Sequence, residues 1–499
     1  MTTVDCRVTI CRILDRFPMS HVFRVDGGGL SCTCCVFLVA SMVTGACLTS
    51  TVRADAPNDT TAKRWQMGTP IVTYWAGPMP MTDAVAKQMA DGGWNLVWVT
   101  RRGAAEGVDV VDHYRSQLDV LQRHGLRGIL SLGYVPRKPE EFKALDDPET
   151  KAQLDSIIEG VRKHPALYAY SLLDEPNAAV FPNLARMKDY LQQKDPSRLV
   201  YVNLFPIYAS NEQLGTVGEP APAYRKHLRQ FVETFRPQLL SYDHYHFAVK
   251  GDSEKGYFLN LAEIRQAALD ADIPFMVIAQ ACSWTVNMRI PTGDELRWLA
   301  YTTLAYGSQG ISWYVYGYPG HDGGMINPAG TYREPHIARA MGRAVLGGSP
   351  TPLYYYAREL HKEFVAIATE LQPLKSLAVH HAGMLPEGAS LLPEGAVFRF
   401  DPPVPGKDYA VPVEGFVIGY FGQGTSPTHA LVVNLDYRTY SGLGQPRREE
   451  FLKPVRRAIV GPGHLEIFDV ATSKWSATDS NRVELRLPPG GGILVRTAP

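Results

Sequence analysis

Cysteine is nearly absent from most of this chain. Seven cysteines occur in 499 residues, and six of them (Cys6, Cys11, Cys32, Cys34, Cys35 and Cys47) precede residue 48. Beyond that point only Cys282 remains, so the rest of the chain can form no internal disulfide; a lone cysteine is ordinarily a small core residue. Charge of one sign is also lacking. Lys+Arg and Asp+Glu number 50 each, which gives no electrostatic footprint for nucleic acid or an anionic membrane. There is no Gly-x-Ser-x-Gly elbow and no phosphate-cradling glycine loop. No internal repeat or low-complexity tract interrupts the chain, and no apolar run reaches the ~20 residues of a comfortable membrane span.

The N-terminal segment reads differently from the remainder. Arg7, Arg12, Arg16 and Arg24 precede the apolar run 34–48, and Ala54-Asp55-Ala56 follows as an A-x-A cleavage signal. Residues 1–56 therefore read as an export presequence, and the mature chain as periplasmic or secreted, with no stable membrane span once the signal is removed. The basic stretch is long for such a signal, which leaves Met19 as a second candidate start. An uncleaved anchor is the alternative, and Thr44 sits where a lipobox would carry a large aliphatic residue.

From residue 69 onward, short apolar runs alternate with amphipathic segments. Strands are expected over 70–77, 95–100, 127–134, 166–174, 198–205, 239–245, 274–281 and 310–317. Their continuous apolarity suits parallel strands buried on both faces. Tyr114, Leu118 and Leu121, then Tyr224, Leu228, Phe231 and Phe235, then Leu360, Phe364, Ile367 and Leu371 repeat at helical spacing. Eight strand–helix units over roughly 300 residues predict an α/β fold, a (β/α)₈ TIM barrel spanning 57–373. The runner-up is an open doubly wound sheet, which the missing glycine loop disfavours. After Pro373 the pattern becomes short alternating runs (396–400, 414–421, 429–436, 464–470, 483–497) punctuated by Gly and Pro. Residues 374–499 are therefore expected to form a small antiparallel β-sandwich.

Catalytic groups of such barrels sit at the C-terminal ends of strands. Those ends carry Tyr74 and Trp75; Trp98, Thr100, Arg101 and Arg102; Tyr134; Asp174 and Glu175; Asn203; Asp243, His244 and Tyr245; Gln280 and Trp284; and Trp313, Tyr314 and Tyr316. Aromatic faces stack on the C–H faces of sugar rings, while amides and phenols serve hydroxyl groups; a phosphate substrate would call for more cations. The set selected for a carbohydrate substrate is Tyr74, Trp98, Arg101, Tyr134, Asp174, Asn203, Tyr245, Gln280, Trp284, Trp313 and Tyr316. Tyr74, Trp98 and Trp313 fit a core position equally well. His244 and His246 share a face but have no third ligand at metal spacing, so neither a metal nor another cofactor is expected.

The layout resembles clan A glycoside hydrolases, retaining barrel glycosidases whose fourth strand commonly ends Asn-Glu-Pro with Glu as acid/base. Here the triplet is Asp174-Glu175-Pro176. The resemblance covers roughly residues 69–372 and implies Glu175 as general acid/base of a glycoside hydrolase. It departs at strand seven, where the clan places its nucleophilic Glu and this chain has Gln280, an amide that cannot act as a carboxylate. Asp243, at the end of strand six, is the best replacement; strand alternation puts it and Tyr245 on one face. The same alternation turns Asp174 away from Glu175 and makes it structural. Substrate assistance, with Gln280 or Asn203 holding the participating group, is a further option, and Asp322 and Glu334 are distant ones. The competing function is a non-catalytic carbohydrate-binding barrel, and Gln280 is the residue that favours it.

Overall fold

A computed structural model describes residues 65–498 apart from positions 80, 103, 105, 250–253, 319, 329–346, 407–414 and 438–452. The expected presequence and Glu334 lie outside the described residues. Contacts group Thr60–Pro499 into one compact unit. Among the described residues no helix is long and apolar enough to cross a membrane.

Each of the eight expected apolar runs contains a strand: β1 (Ile71–Trp75), β2 (Leu96–Val99), β3 (Arg127–Ser131), β4 (Leu167–Asp174), β5 (Leu199–Asn203), β6 (Leu240–His244), β7 (Phe275–Gln280) and β8 (Gly310–Tyr314). Helices alternate with them, among them Val110–Arg123, Pro220–Phe235 and Pro352–Leu371, where the three periodic patterns fall. Local chemistry sets the helix starts. Thr82, Asp109 and Asp147 each cap an N-terminus, and Thr292 with Glu295 forms a capping box at the helix Gly293–Ala305, satisfying N–H groups that have no intrahelical partner.

The strands are parallel, but their hydrogen-bonded ladder is not closed into one barrel. It forms two four-stranded sheets, β1-β8-β7-β6 and β2-β3-β4-β5. The physical reason is visible at the two seams, where side chains or single bridges replace the ladder. Between β1 and β2, the Asn95 side chain accepts from Val72 N–H at 3.0 Å and donates to Pro70 O at 2.8 Å. Between β5 and β6, Leu204 N–H donates to Ser241 O at 2.9 Å beside an isolated bridge, Leu204 with Tyr242. Both sheets nevertheless face one apolar cluster, since Ile71, Leu96, Ile129, Ala169, Leu199, Tyr201 and Met276 pack together. Substituting Asn95→Ala strands the Val72 and Pro70 backbone groups at the seam. We expect a loss of about 2 kcal/mol, read as a lower urea midpoint with an unchanged slope.

The C-terminal segment forms a six-stranded antiparallel sheet, in spatial order Lys375–Gly383, Gly415–Gly422, His429–Asn434, Gly492–Thr497, Leu465–Asp469 and Lys474–Ala477. A three-stranded sheet of Arg399–Phe400, Val455–Val460 and Arg482–Leu487 shares its core, with Phe400, Ile459, Leu485 and Leu487 against Phe416, Ile418, Val432 and Val495. The larger sheet also packs on the helix Gly293–Ala305. A Cβ at Gly419 would stand 2.0 Å from Ala305 O, so only glycine fits there. Arg297 donates to Pro489 O at 2.9 Å across the same contact. Trp475 donates to the Glu370 carboxylate at 2.9 Å and carries Arg496 over its ring at 4.2 Å, which places it in packing.

Candidate active site

Three carboxyl groups meet where β4, β5 and β6 end. Asn203, at the end of β5, links two of them: its Nδ2 donates to Asp174 Oδ1 at 3.1 Å and to Asp243 Oδ1 at 2.9 Å. Asn203 is held by Ser241 Oγ, which donates to its Oδ1 at 2.9 Å and is itself bonded to the Tyr201 hydroxyl at 2.9 Å. The Asp243 side chain is buried, and its Oδ2 has no hydrogen-bond partner of good geometry. Glu175 adjoins it.

The expectation that alternation turns Asp174 away from Glu175 is corrected here. The register of β4 against β5 slips between Ser171 and Leu173, a bulge that breaks the period of two. Glu175 then takes a left-handed backbone, φ 47°, uncommon for a residue with a Cβ. Its N–H donates to Asn203 O at 2.8 Å, which holds that conformation, and Arg137 donates to its carbonyl at 3.1 Å. The two departures bring successive carboxyls into one cluster.

Burial is the main reason all three carboxyls hold their protons unusually well. Asp174 rises to about 6, with the Asn203 bond and Arg137 opposing. Glu175 rises to about 7, through burial and then the Asp174 charge, against Arg137 and the neighbouring Asp243. Asp243 rises well above the carboxylate range, through burial and then the Glu175 and Asp174 charges. Adjoining carboxyls of this kind titrate as a unit, and the cluster retains protons near neutrality.

Aromatic side chains stand beside the carboxyls. Tyr245 packs against Trp284, with ring centroids 4.7 Å apart, and against Tyr314 at 5.1 Å. Tyr314 in turn bonds His321 at 2.9 Å. Tyr208 accepts from Tyr245 N–H at 3.3 Å. A cavity of about 700 Å³ opens next to Tyr314, lined by Trp75, Trp98, Arg101, Arg102, Ser131 and Tyr318 among others. Trp75 and Trp98 meet edge to face in its wall, at 4.4 Å.

The structure therefore brings together Asp174, Glu175, Asn203, Asp243 and Tyr245, with Trp284 against Tyr245, while Trp98 and Arg101 line the adjoining cavity. Burial pushes the Tyr134 phenol above its ordinary range, and the nearby Arg101 guanidinium opposes that shift. Three expected residues point elsewhere. Trp313 donates to His361 Nε2 at 2.8 Å, and Tyr316 donates to Gln88 at 2.7 Å, both buried against helices. The Tyr74 ring is buried against Tyr316, at 5.2 Å, although its edge reaches the cavity wall. Strand parity is the cause: Ile71 and Gly310 start the inward registers of β1 and β8, so Trp75 and Tyr314 turn inward instead. Those two were legible from parity. Tyr208 and Arg137 lie on loops and carried no such signal.

Gln280 is buried with its amide fully engaged by backbone. Its Oε1 accepts from Phe247 N–H at 2.7 Å, and its Nε2 donates to the carbonyls of Phe247, Cys282 and Arg289 at 3.0, 3.2 and 2.8 Å. It ties two loops together, and its amide hydrogens are committed to backbone carbonyls. His244 bonds Asn260 and His246 bonds Tyr437, each at 3.0 Å. Asp322 is exposed and pairs with Ser283 in a two-residue antiparallel ladder. Among the described residues no cluster of His, Cys, Asp and Glu has the arrangement to hold a metal ion.

No protein-family model matches the chain, and no curated protein matches it. Among solved structures, the chain is similar to an endo-β-1,4-mannanase from Thermotoga petrophila at 11% identity, with 85% of this chain and 98% of that one covered and a TM-score of 0.41. A family 5 mannosidase from Rhizomucor miehei gives 12% identity, 58% and 88% coverage and a TM-score of 0.39. A β-galactosidase from Marinomonas ef1 gives 10%, 61% and 60%, and 0.40. Likenesses this distant assign no residue role.

Proposed function

We propose that the chain is a glycoside hydrolase, with the two parallel sheets as halves of one (β/α)₈ barrel, the C-terminal sheets as its β-sandwich, and Glu175 as general acid. One observation carries the reading: a half-buried carboxyl poised at about 7, clustered with Asp174 and Asp243 beside aromatic walls. A general acid works best when its pKa lies near the working pH. In this reading Glu175 donates its proton to the glycosidic oxygen as the bond to the anomeric carbon breaks. Asp243, itself reluctant to ionise, hydrogen-bonds the carboxylate left on Glu175. That role differs from a nucleophile facing Glu175 across the sugar, and leaves capture of the anomeric carbon to water or to a group of the substrate. Export to the periplasm or medium belongs to the proposal and rests on the presequence pattern alone.

The test is release of reducing sugar from a broad glycan panel, with the pH profile of any substrate cleaved. Activity should fall as pH rises through about 7, because Glu175 must be protonated. The Asp174 charge helps hold that proton, so Asp174→Asn should move the falling limb to lower pH, by up to about one unit. A limb that stays put in Asp174→Asn, or moves upward, would remove Glu175 from the acid role. The engaged amide of Gln280 favours the second reading, a barrel that binds carbohydrate without turnover; binding with no release anywhere on the panel would establish it.

A further inference from the structure

The cavity beside the carboxyl cluster carries a feature that a neutral sugar does not require. Arg101 and Arg102 follow β2 directly, both are exposed, and both line the cavity with Trp75 and Trp98. Among the described residues several arginines have an acidic partner: Arg123 meets Asp83 at 2.9 Å, Arg225 meets Glu263 at 2.8 Å and Arg289 meets Glu295 at 2.7 Å. Among the described residues neither Arg101 nor Arg102 forms an ion pair. The cavity also shares walls with the site. Tyr314 lines it and packs on Tyr245, and Trp98 packs on Tyr201, with ring centroids 5.9 Å apart, whose hydroxyl bonds Ser241 beneath Asn203.

We propose that this cavity is a subsite for an anionic sugar residue, and that the substrate class is a uronate-containing or sulfated glycan. The proposal rests on the glycosidase reading above for the site it adjoins. A guanidinium presents parallel N–H donors that match a carboxylate or a sulfate ester. The Trp75–Trp98 pair supplies the apolar wall for the ring that bears the anion. Glu175 and Asp243 hold protons near neutrality, so the cluster opposes an incoming anion less than three free carboxylates would. In this proposal the anion and its ring occupy the cavity, which Tyr314 joins to the aromatic wall of the carboxyl cluster.

The experiment uses the full chain carrying Glu175→Gln, so that binding is read without turnover. Three probes of equal length are titrated, with tryptophan fluorescence as the readout: a hexuronate oligomer, a sulfated galactan oligomer and a neutral manno-oligosaccharide. At least one anionic oligomer is expected to bind about 10-fold or more tightly than the neutral one, and added salt should narrow the gap. Adding Arg101→Gln and Arg102→Gln should weaken that oligomer about 10-fold and leave the neutral probe within about twofold. Both side chains are exposed, so an unchanged melting temperature is the folding control. Which anionic probe responds separates carboxylate from sulfate. Equal binding of anionic and neutral probes, no binding of any probe, or no effect of the arginine substitutions overturns the proposal. Unmodified protein that cleaves neutral glycans with no anionic preference overturns it while the hydrolase reading stands. Arginine-dependent anionic binding without sugar release supports it while the hydrolase reading fails.

Discussion

Glu175→Gln should lower turnover by about 10²–10⁴-fold on any glycan the protein cleaves, the usual cost of losing a general acid. The substitution keeps shape and volume and replaces the acidic hydroxyl with an amide NH2 that cannot deliver a proton at working pH. The melting temperature should therefore hold or rise, because a half-buried carboxyl with a raised pKa is a liability to the folded state once it ionises. The sign follows from linkage. A carboxyl shifted from 4.5 to about 7 favours folding only while protonated, and that contribution drains away as pH rises from about 4 through about 7. Activity and stability should thus move in opposite directions in one variant. A substrate whose leaving group needs no protonation should lose far less, which separates an acid from a group that merely shapes the site. If turnover survives with both kinds of leaving group, Glu175 is not the acid.

Gln280→Glu is the second large effect, and its direction runs against intuition. Glutamate there would supply the carboxylate that a resemblance to clan A enzymes leads one to expect at the end of strand seven, so gain of activity is the tempting expectation. The surroundings predict damage. The Gln280 Nε2 donates to three backbone carbonyls. A carboxylate would oppose those three oxygens with no proton to offer, while a protonated acid could serve only one of them. Breaking a buried polar arrangement so that charge goes uncompensated costs about 3–5 kcal/mol. We expect a stability loss of that order in chemical denaturation, with no gain in sugar release. A stable and more active Gln280→Glu would mean that these loops rearrange to free the side chain.

These two residues show how the sequence is legible and where it stops. The strands could be read because continuous apolar runs such as Phe275–Gln280 have few other structural uses. Asp243 was expected to face Glu175 as a second carboxylate because both stand at strand ends, and their direct adjacency was not. What periodicity could not supply was the slip between Ser171 and Leu173 and the left-handed Glu175. Both are local breaks in the rule that assigned Asp174 to the other face. Trp313 faces the helices and Tyr314 the interior, since a large aromatic suits either face and only the inward start at Gly310 decides. Gln280 read as a lost nucleophile, whereas its partners are carbonyls of loops that no pairing rule connects to it. The two seams depend on Asn95 and on one backbone bond, details finer than an eight-strand pattern.

The hydrogen bond from His246 to Tyr437 reaches from just beyond β6 into the C-terminal part of the chain. His246 lies three residues past Asp243, and its ring stacks on Trp298 at 4.7 Å, within the helix that also receives Gly419. The peptide that carries Asp243 is therefore moored to the distal sheets at its far end. We expect heat damage that begins in those sheets to reach the carboxyl cluster in the same event, read as coincident loss of activity and of C-terminal sheet signal. Inactivation and loss of the C-terminal sheets would then be one process with one rate, and neither part could be shed, exchanged or worn out on its own.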